Sequence, residues 1–233
     1  TDNIMVGHID ATSLAAAGLA NVAFNIFMLF GIGVSYAITP LVAAADGAGD
    51  SRQSAEVLRH GLVVNVVNAL ILCIIIYFGK RFLYYIDQPS EVVAIAIPYL
   101  EIITFSLIPI LIFQSFRQFS EGLSDTVTPM VIVWLTVISN GILNYIFIYG
   151  HVGLNPMGLN GAGWATLTSR ILMAIAIVLY VLLSHRFLLY RAAFKLGSYS
   201  KALFAKLLRL GLPAGSQFIF EVAAFDFSLV MMG

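Results

Sequence analysis

The sequence predicts an all-α fold whose helices cross a membrane several times, forming a polytopic transmembrane bundle. Of its 233 residues, 60% are hydrophobic and only 10% are charged, whereas soluble domains carry roughly 25% charged residues. Apolar stretches recur at about the 20-residue length that a helix needs to span a bilayer. Lysine and arginine residues gather at alternate joints between these stretches. Together the three features exclude a soluble domain with a large core.

Seven apolar stretches follow one another along the chain, at about 1–8, 12–43, 57–79, 92–116, 127–149, 160–184 and 205–232. We number them as the first to seventh spans. The first is short, does not begin with methionine, and has neither the charged start nor the cleavage site of a signal peptide. The last stops without a polar segment. We therefore expect a fragment, truncated at both ends, that begins partway through its first transmembrane helix.

The positive charges predict which joints face the cytoplasm. Six joints separate the seven spans, and the second, fourth and sixth with their flanks carry nine of the 12 lysine and arginine residues: Arg52, Arg59, Arg117, Arg186, Arg191, Lys195, Lys201, Lys206 and Arg209. The first, third and fifth joints carry only Lys80 and Arg81, and Arg170 lies inside the sixth span. Cytoplasmic loops are enriched in such residues. The even joints are therefore predicted to be cytoplasmic and the odd joints to lie outside.

Polar residues inside the spans mark one candidate site. Asn140 and Asn144 lie one turn apart on one face of the fifth span, where an amide without a partner would be costly. Asn144, Asp2 and Thr166 each lie about six residues, or ~9 Å, below the predicted outer boundary of their spans. A carboxylate with neutral oxygens suits a hard monovalent cation or a proton. The alternative is plain hydrogen bonding between helices, which the residues alone favour.

A second candidate lies near the middle of the seventh span, where Glu221 follows Gln217 by one turn on the same face. A glutamate at this depth indicates function, and Gln217 is placed to hydrogen-bond it. Arg170 is interpreted as part of a structural ion pair, or as snorkelling toward the boundary, rather than as a substrate contact, and the role of Glu101 stays open. Tyr84, Tyr85, Tyr99 and Tyr149 are interpreted as interfacial aromatic residues.

Other function classes find little support in the sequence. It contains no phosphate-binding loop, no cluster of metal ligands and no nucleophile elbow, so we expect neither an enzyme nor a cofactor. Lysine plus arginine and aspartate plus glutamate number 12 each, and this balance does not point to a nucleic-acid partner. The single cysteine excludes an internal disulfide.

Four stretches resemble the multidrug and toxic compound extrusion (MATE) transporters. Residues 1–8 are similar to the end of that family's first helix, and residues 31–50, from Gly31 to Asp50, to its second helix. Residues 121–130, 140–150 and 159–166 are similar to the fifth and sixth helices, and residues 211–221 to the seventh. The order and spacing of these stretches over nearly the whole chain make the resemblance specific.

The resemblance implies two six-helix lobes with a substrate cavity between them. Residues 1–185 would form the N-terminal lobe with a truncated first helix, 186–206 a cytoplasmic linker, and 207–233 the first helix of the C-terminal lobe. It also implies a multi-pass protein of the inner (plasma) membrane that exports organic, often cationic and amphipathic compounds in exchange for sodium or protons. We expect this transporter to function as a monomer.

The resemblance further assigns roles to residues. Asp2 matches a cation-coupling carboxylate, Asn140 and Asn144 match the polar pair of the fifth helix, and Thr166 with the carbonyl of Ala162 matches the sixth-helix part of a sodium site. Glu221, beside Gln217, matches an acidic residue that some relatives use as a second site. Many relatives have aspartate where this chain has Asn144, so the chain departs from the family by one negative charge.

Two alternatives stay open. The first is a flippase for lipid-linked oligosaccharides or polysaccharides, from the same wider superfamily. Such proteins favour a basic cavity, and here Arg170 is the one basic residue deep in a span. The second, from a different class, is a membrane-embedded enzyme, for which we identify no convincing pair of catalytic groups.

Overall fold

The computed structural model describes residues 5–7, 9–85, 88–151, 153, 155–194 and 199–232, without the side chains of 191–194 and 222–232. Its α-helices are Ala11–Ser35, Ile38–Gly47, Ser51–Gly79, Ser90–Phe105, Leu107–Gly122, Val127–Tyr149, Gly158–Leu183 and Lys201–Met232. Two 3-10 helices, Lys80–Tyr85 and His185–Phe194, lie in the joints. Met5 and Val6 are also helical. No strand occurs in this described part of the chain, which confirms the predicted all-α fold.

Two of the predicted spans consist of two helices each. The second span is interrupted at Tyr36 and Ala37, whose N–H groups bond three residues back, to Gly33 and Val34. Pro40 follows closely, and a proline lacks an N–H and collides with the carbonyl four residues before it. The fourth span is interrupted at Ser106 in the same way, three residues before Pro109. Each break therefore lies where a proline prevents the regular helical bond.

Among the described residues, five helical stretches are long and apolar enough to cross a membrane: Ala11–Gly47, Ser51–Tyr85, Ser90–Gly122, Val127–Tyr149 and Gly158–Leu183. These are the second to sixth predicted spans. The seventh is helical over Lys201–Met232 but lies outside these five. Its first turns carry Lys201, Lys206 and Arg209, as expected for the part of a helix that lies on the cytoplasmic side of the membrane.

Contacts between residues divide the chain into two compact units. Unit 1 comprises residues 1–25, 70–110 and 131–174, and unit 2 comprises residues 26–69, 111–130 and 175–233. The first, third and fifth joints all fall in unit 1, and the second, fourth and sixth all fall in unit 2. This is the grouping of joints that the positive charges predict. The predicted division into lobe, linker and seventh helix stays a prediction.

Within unit 2, the seventh-span helix lies against the second span through glycines. A Cβ atom placed on Gly33 would lie 2.6 Å from the Cα atom of Gly215. A Cβ on Gly211 would lie 2.6 Å from the carbonyl oxygen of Val34, and one on Gly215 would lie 2.9 Å from that of Phe30. These distances are shorter than real Cβ contacts, so the two backbones approach this closely only because the side chains are absent.

Unit 2 also holds the 3-10 helix of the sixth joint. Phe187 at its centre is fully buried and packs edge-on against Tyr180. The Arg186 guanidinium donates to the carbonyl of Leu123 at 2.9 Å, and the Tyr190 hydroxyl donates to the Asp46 carboxylate at 2.8 Å. This part of the joint is therefore fixed onto the ends of the second and fourth spans.

Candidate cation site

The polar residues predicted on the fifth and sixth spans lie in one chain of hydrogen bonds within unit 1. The Asn144 amide donates to Oδ1 of Asn140 at 3.1 Å, and the Asn140 amide donates to Oγ of Ser169 at 3.3 Å. The Ser169 hydroxyl donates in turn to the carbonyl of Thr166 at 3.0 Å. Asn144 is fully buried and Ser169 nearly so. The structure thus brings together three of the predicted residues, Asn140, Asn144 and Thr166, through Ser169.

A glycine explains why the two spans approach each other here. A Cβ atom placed on Gly161 would lie 2.6 Å from the carbonyl oxygen of Phe147. The N–H of Met157 donates to that same oxygen at 3.1 Å. Ala162, whose carbonyl the resemblance includes in the site, is fully buried beside this contact, as is Ala165. Small residues therefore set the start of the sixth span directly against the end of the fifth.

Asp2 lies outside the described residues. Its nearest described neighbours contact the fifth span, because the Tyr149 hydroxyl donates to the Met5 carbonyl at 3.1 Å. Val6 is 1% exposed. The first and fifth spans therefore touch near the end of the fifth span, five residues beyond Asn144. Sequence alone does not establish this contact.

Tyr99 was predicted to be interfacial, and this interpretation is wrong. The side chain is 2% exposed, and its hydroxyl donates to Oδ1 of Asn21 on the second span at 3.2 Å. On another side, a Cβ on Gly163 would lie 3.2 Å from the Tyr99 ring. Asn21 supplied a signal for this pair, because an amide in an apolar span needs a partner, but its spacing did not identify which one.

Ser169 is the residue that sequence reasoning missed in the hydrogen-bonded chain. It lies three residues after Thr166, nearly one turn along the same helix, so it faces a similar direction. This periodicity was an available signal. A serine in a membrane helix can also satisfy its hydroxyl on its own backbone, and for this reason it attracts less attention than an amide.

Arg170 has partners that fit a structural role. Its guanidinium donates to the Ser106 hydroxyl at 2.6 Å and lies 5.2 Å from the centre of the Phe24 ring. Ser106 is fully buried at the break in the fourth span. Arg170 thus links the sixth span to the point where the fourth span is interrupted.

The second predicted site lies in unit 2. The Gln217 amide donates to the Glu221 carboxylate at 2.9 Å, as the one-turn spacing predicted. Both residues are exposed, so this carboxylate is open to a partner from outside the described chain. The side chain of Asp226, whose role the sequence left open, lies outside the described residues.

A bundle of membrane-length helices that joins two spans through a partly buried chain of amide, hydroxyl and carbonyl groups defines a multi-pass membrane protein. The family model for MatE matches residues 1–146, and the chain belongs to this family. It is 31% identical over 233 residues to a probable multidrug resistance protein NorM of Agrobacterium fabrum, covering 100% of this chain and 50% of the relative. It is 32% identical over 234 residues to a multidrug resistance protein NorM of Photobacterium profundum, covering 99% and 51%.

The fold of the chain also matches solved structures of transporters from this family. A solved multidrug resistance MATE family transporter in its outward-facing conformation superposes with a TM-score of 0.86 at 25% identity. The match covers 97% of this chain and 49% of that one. The chain therefore spans about half the length of the relatives it matches. The MATE resemblance stated from the sequence is confirmed, as is the prediction of a multi-pass membrane protein.

Proposed function

We propose that this chain is part of a secondary active antiporter that exports organic, often cationic and amphipathic compounds in exchange for sodium or protons. The observation that carries the proposal is the hydrogen-bonded chain from Asn144 to Thr166, with Asn144 and Ser169 buried in it, in a member of the MatE family. A polar cluster buried in membrane helices indicates an ion or substrate pathway. The relatives named as multidrug resistance proteins support the choice of substrate class.

The coupling ion would bind among oxygens that this cluster supplies. Asn140 and Asn144 contribute amide oxygens, Thr166 its hydroxyl, and Ala162 its carbonyl, while Asp2 would supply the negative charge. Hard cations prefer such oxygen ligands. Neutral oxygens alone attract a cation weakly, so the carboxylate decides whether the site is filled.

Transport would proceed by alternating access. An ion drives a conformational change only to the extent that it binds one conformation better than the other. A coupling site shared by a carboxylate of the first span and neutral oxygens of the fifth and sixth would give such a difference if the first span moves. Glu221, with Gln217, would serve as a second site for substrate or coupling ion in the same protein.

The test uses the complete protein in liposomes, with export of a fluorescent cationic dye measured under a sodium or pH gradient. Asp2→Asn should abolish gradient-driven transport at unchanged expression. Thr166→Ala should weaken the sodium-driven rate more than the proton-driven rate. Ser139→Ala is the matched control, because the Ser139 hydroxyl donates within its own helix, to the carbonyl of Leu135 at 2.9 Å. Full transport by Asp2→Asn would refute the site.

The flippase alternative depends on a basic residue for a phosphate-bearing substrate. Arg170, the one basic residue deep in a predicted span, is engaged with Ser106 and Phe24, and this favours the antiporter. The same liposomes would distinguish the two functions, because a flippase would translocate a lipid-linked sugar without moving the dye.

A further inference from the structure

A cavity of about 250 Å³ lies between the third and fourth spans in unit 1. Apolar side chains form its walls, among them Ile74, Tyr77 and Phe78 from the third span and Leu100 and Phe105 from the fourth. Phe78 is 75% exposed and Phe105 57% exposed. In a membrane helix, apolar side chains with such exposure meet hydrocarbon. The cavity is therefore an opening in the side of the bundle that acyl chains can reach.

An ion pair stands at the rim of this cavity. The Lys80 ammonium donates to the Glu101 carboxylate and lies 3.9 Å from the centre of the Tyr77 ring. Lys80 is the residue at which the third-span helix gives way to the 3-10 helix Lys80–Tyr85, at the predicted outer boundary of the membrane. Exposed Tyr84 and Tyr85 follow it, as is typical of an interface. Lys80 thus lies where lipid headgroups meet hydrocarbon, and its ammonium pairs with Glu101, about nine residues into the fourth span.

Both members of the pair retain hydrogen-bonding capacity. An ammonium has three donors and a carboxylate about four acceptor positions, and the bond between Lys80 and Glu101 uses one of each. Glu101 is 38% exposed and Lys80 18% exposed. The rim therefore offers one positive and one negative group side by side above an apolar groove.

We propose that this groove binds a zwitterionic phospholipid with a primary amine, the chemistry of phosphatidylethanolamine. The lipid phosphate binds the Lys80 ammonium, the lipid ammonium donates to the Glu101 carboxylate, and part of one acyl chain fills the cavity. Charge complementarity selects this headgroup. An anionic lipid without the amine leaves Glu101 facing a negative charge, and phosphatidylcholine carries the positive charge without an N–H donor.

The complete protein, stripped of lipid in detergent, would be titrated with phosphatidylethanolamine, phosphatidylcholine or phosphatidylglycerol of identical acyl chains, and bound lipid counted by native mass spectrometry. We expect the amine lipid to bind about tenfold more tightly than the choline lipid, the size of one charged hydrogen bond. Glu101→Gln should remove this preference, Lys80→Gln should weaken the binding of all three lipids, and Lys80→Arg should keep both the binding and the preference. Glu121→Gln is the matched control, because it removes the acidic partner of a different ion pair, Arg117–Glu121 at 2.7 Å.

A second variant tests the groove without touching the charges. Ile74→Trp fills the cavity and should reduce binding of all three lipids while the melting temperature of the protein stays unchanged. Equal binding of amine and choline lipids by the unaltered protein would overturn the proposal. Tighter binding of phosphatidylglycerol than of phosphatidylethanolamine would also overturn it, since Lys80 would then act without Glu101.

Discussion

Asn144 donates a hydrogen bond to the side chain of Asn140, one turn away on the same helix, at 3.1 Å. The two amides are therefore linked, and the Asn140 amide in turn donates a hydrogen bond to Ser169 on the sixth span. Because Asn144 is fully buried, a charge placed there has little access to water. The position is thus one where a single atom change has a large electrostatic effect.

Asn144→Asp should raise the affinity of the complete protein for sodium by about tenfold, because a second carboxylate near the proposed coupling site attracts the cation. It should also make sodium binding more sensitive to acid, since a buried carboxylate takes up a proton readily. Isothermal titration calorimetry with sodium at two pH values measures both effects. Asn144→Ala serves as the counterpart, with an expected fall in affinity. A sodium affinity unchanged in both variants would contradict the site.

Ser169→Ala should weaken sodium binding by roughly twofold to tenfold, the range of one neutral hydrogen bond. The substitution removes the acceptor of the Asn140 amide and so frees that side chain to turn away from the sixth span. Sodium-dependent protection against thermal unfolding gives the readout. Ser139→Ala, which removes a hydroxyl bonded to its own helix, should leave sodium affinity unchanged. Equal losses in the two variants would show that Ser169 has no special role.

Gly161→Ala should destabilise the protein by about 1–3 kcal/mol, the usual cost of overpacking. Its new methyl group would lie 2.6 Å from the Phe147 carbonyl oxygen, a backbone atom that cannot turn aside. The fifth and sixth spans must then separate, so sodium affinity should fall as well. Gly18→Ala is the control, because a Cβ on Gly18 meets nothing within 4 Å. That change should be neutral or stabilising; a stabilised Gly161→Ala would refute the close approach.

The contact of Tyr190 in the sixth joint should stabilise the protein only up to an alkaline pH. Burial, followed by the hydrogen bond to Asp46 and the charge of that carboxylate, raises the pKa of Tyr190 above its usual value of 10. The stabilisation is therefore complete below pH 10 and is lost as the pH rises through the raised pKa. Thermal unfolding between pH 9 and about 11.5 should show a smaller loss in Tyr190→Phe than in the unaltered protein. Tyr85→Phe, at an 81% exposed position, should behave like the unaltered protein.

The sequence predicted the bounds of a span well where residues typical of helix starts and ends flank it. The fifth span was predicted at 127–149 and is helical over Val127–Tyr149. Pro129 in its first turn is compatible with a helix start, and Gly150 ends it with a φ of 75°. The helices of the third and seventh spans, Ser51–Gly79 and Lys201–Met232, instead begin about five residues before the predicted spans. The sequence estimate measured apolar length, and a helix continues beyond the hydrocarbon into water.

Partners across the bundle were beyond sequence reasoning. Asn140 and Asn144 were recognised because an amide in an apolar run is costly, but their connection through Ser169 depends on how two helices are rotated. Lys80 and Glu101 lie 21 residues apart, and no local rule joins them. From the sequence, Tyr99 fits an interfacial position as well as a buried one. Its burial depends on Gly163 of the sixth span, which lies against its ring. One sequence determines the faces of a helix but not which faces meet.

The glycine contact between the second and seventh spans has a mechanical consequence. Helices usually interlock because ridges of side chains fill grooves on the neighbour, and these ridges resist rotation. Gly33 and Gly215 add nothing to such ridges, so the two backbones meet there, with the rings of Phe218 and Phe30 beside the contact. At this point the two helices are held at a short separation, and Gly33 and Gly215 themselves offer no side chain that would resist a movement of one helix along the other. A larger residue at either position would push the two backbones apart and place a side chain in the path of such a movement.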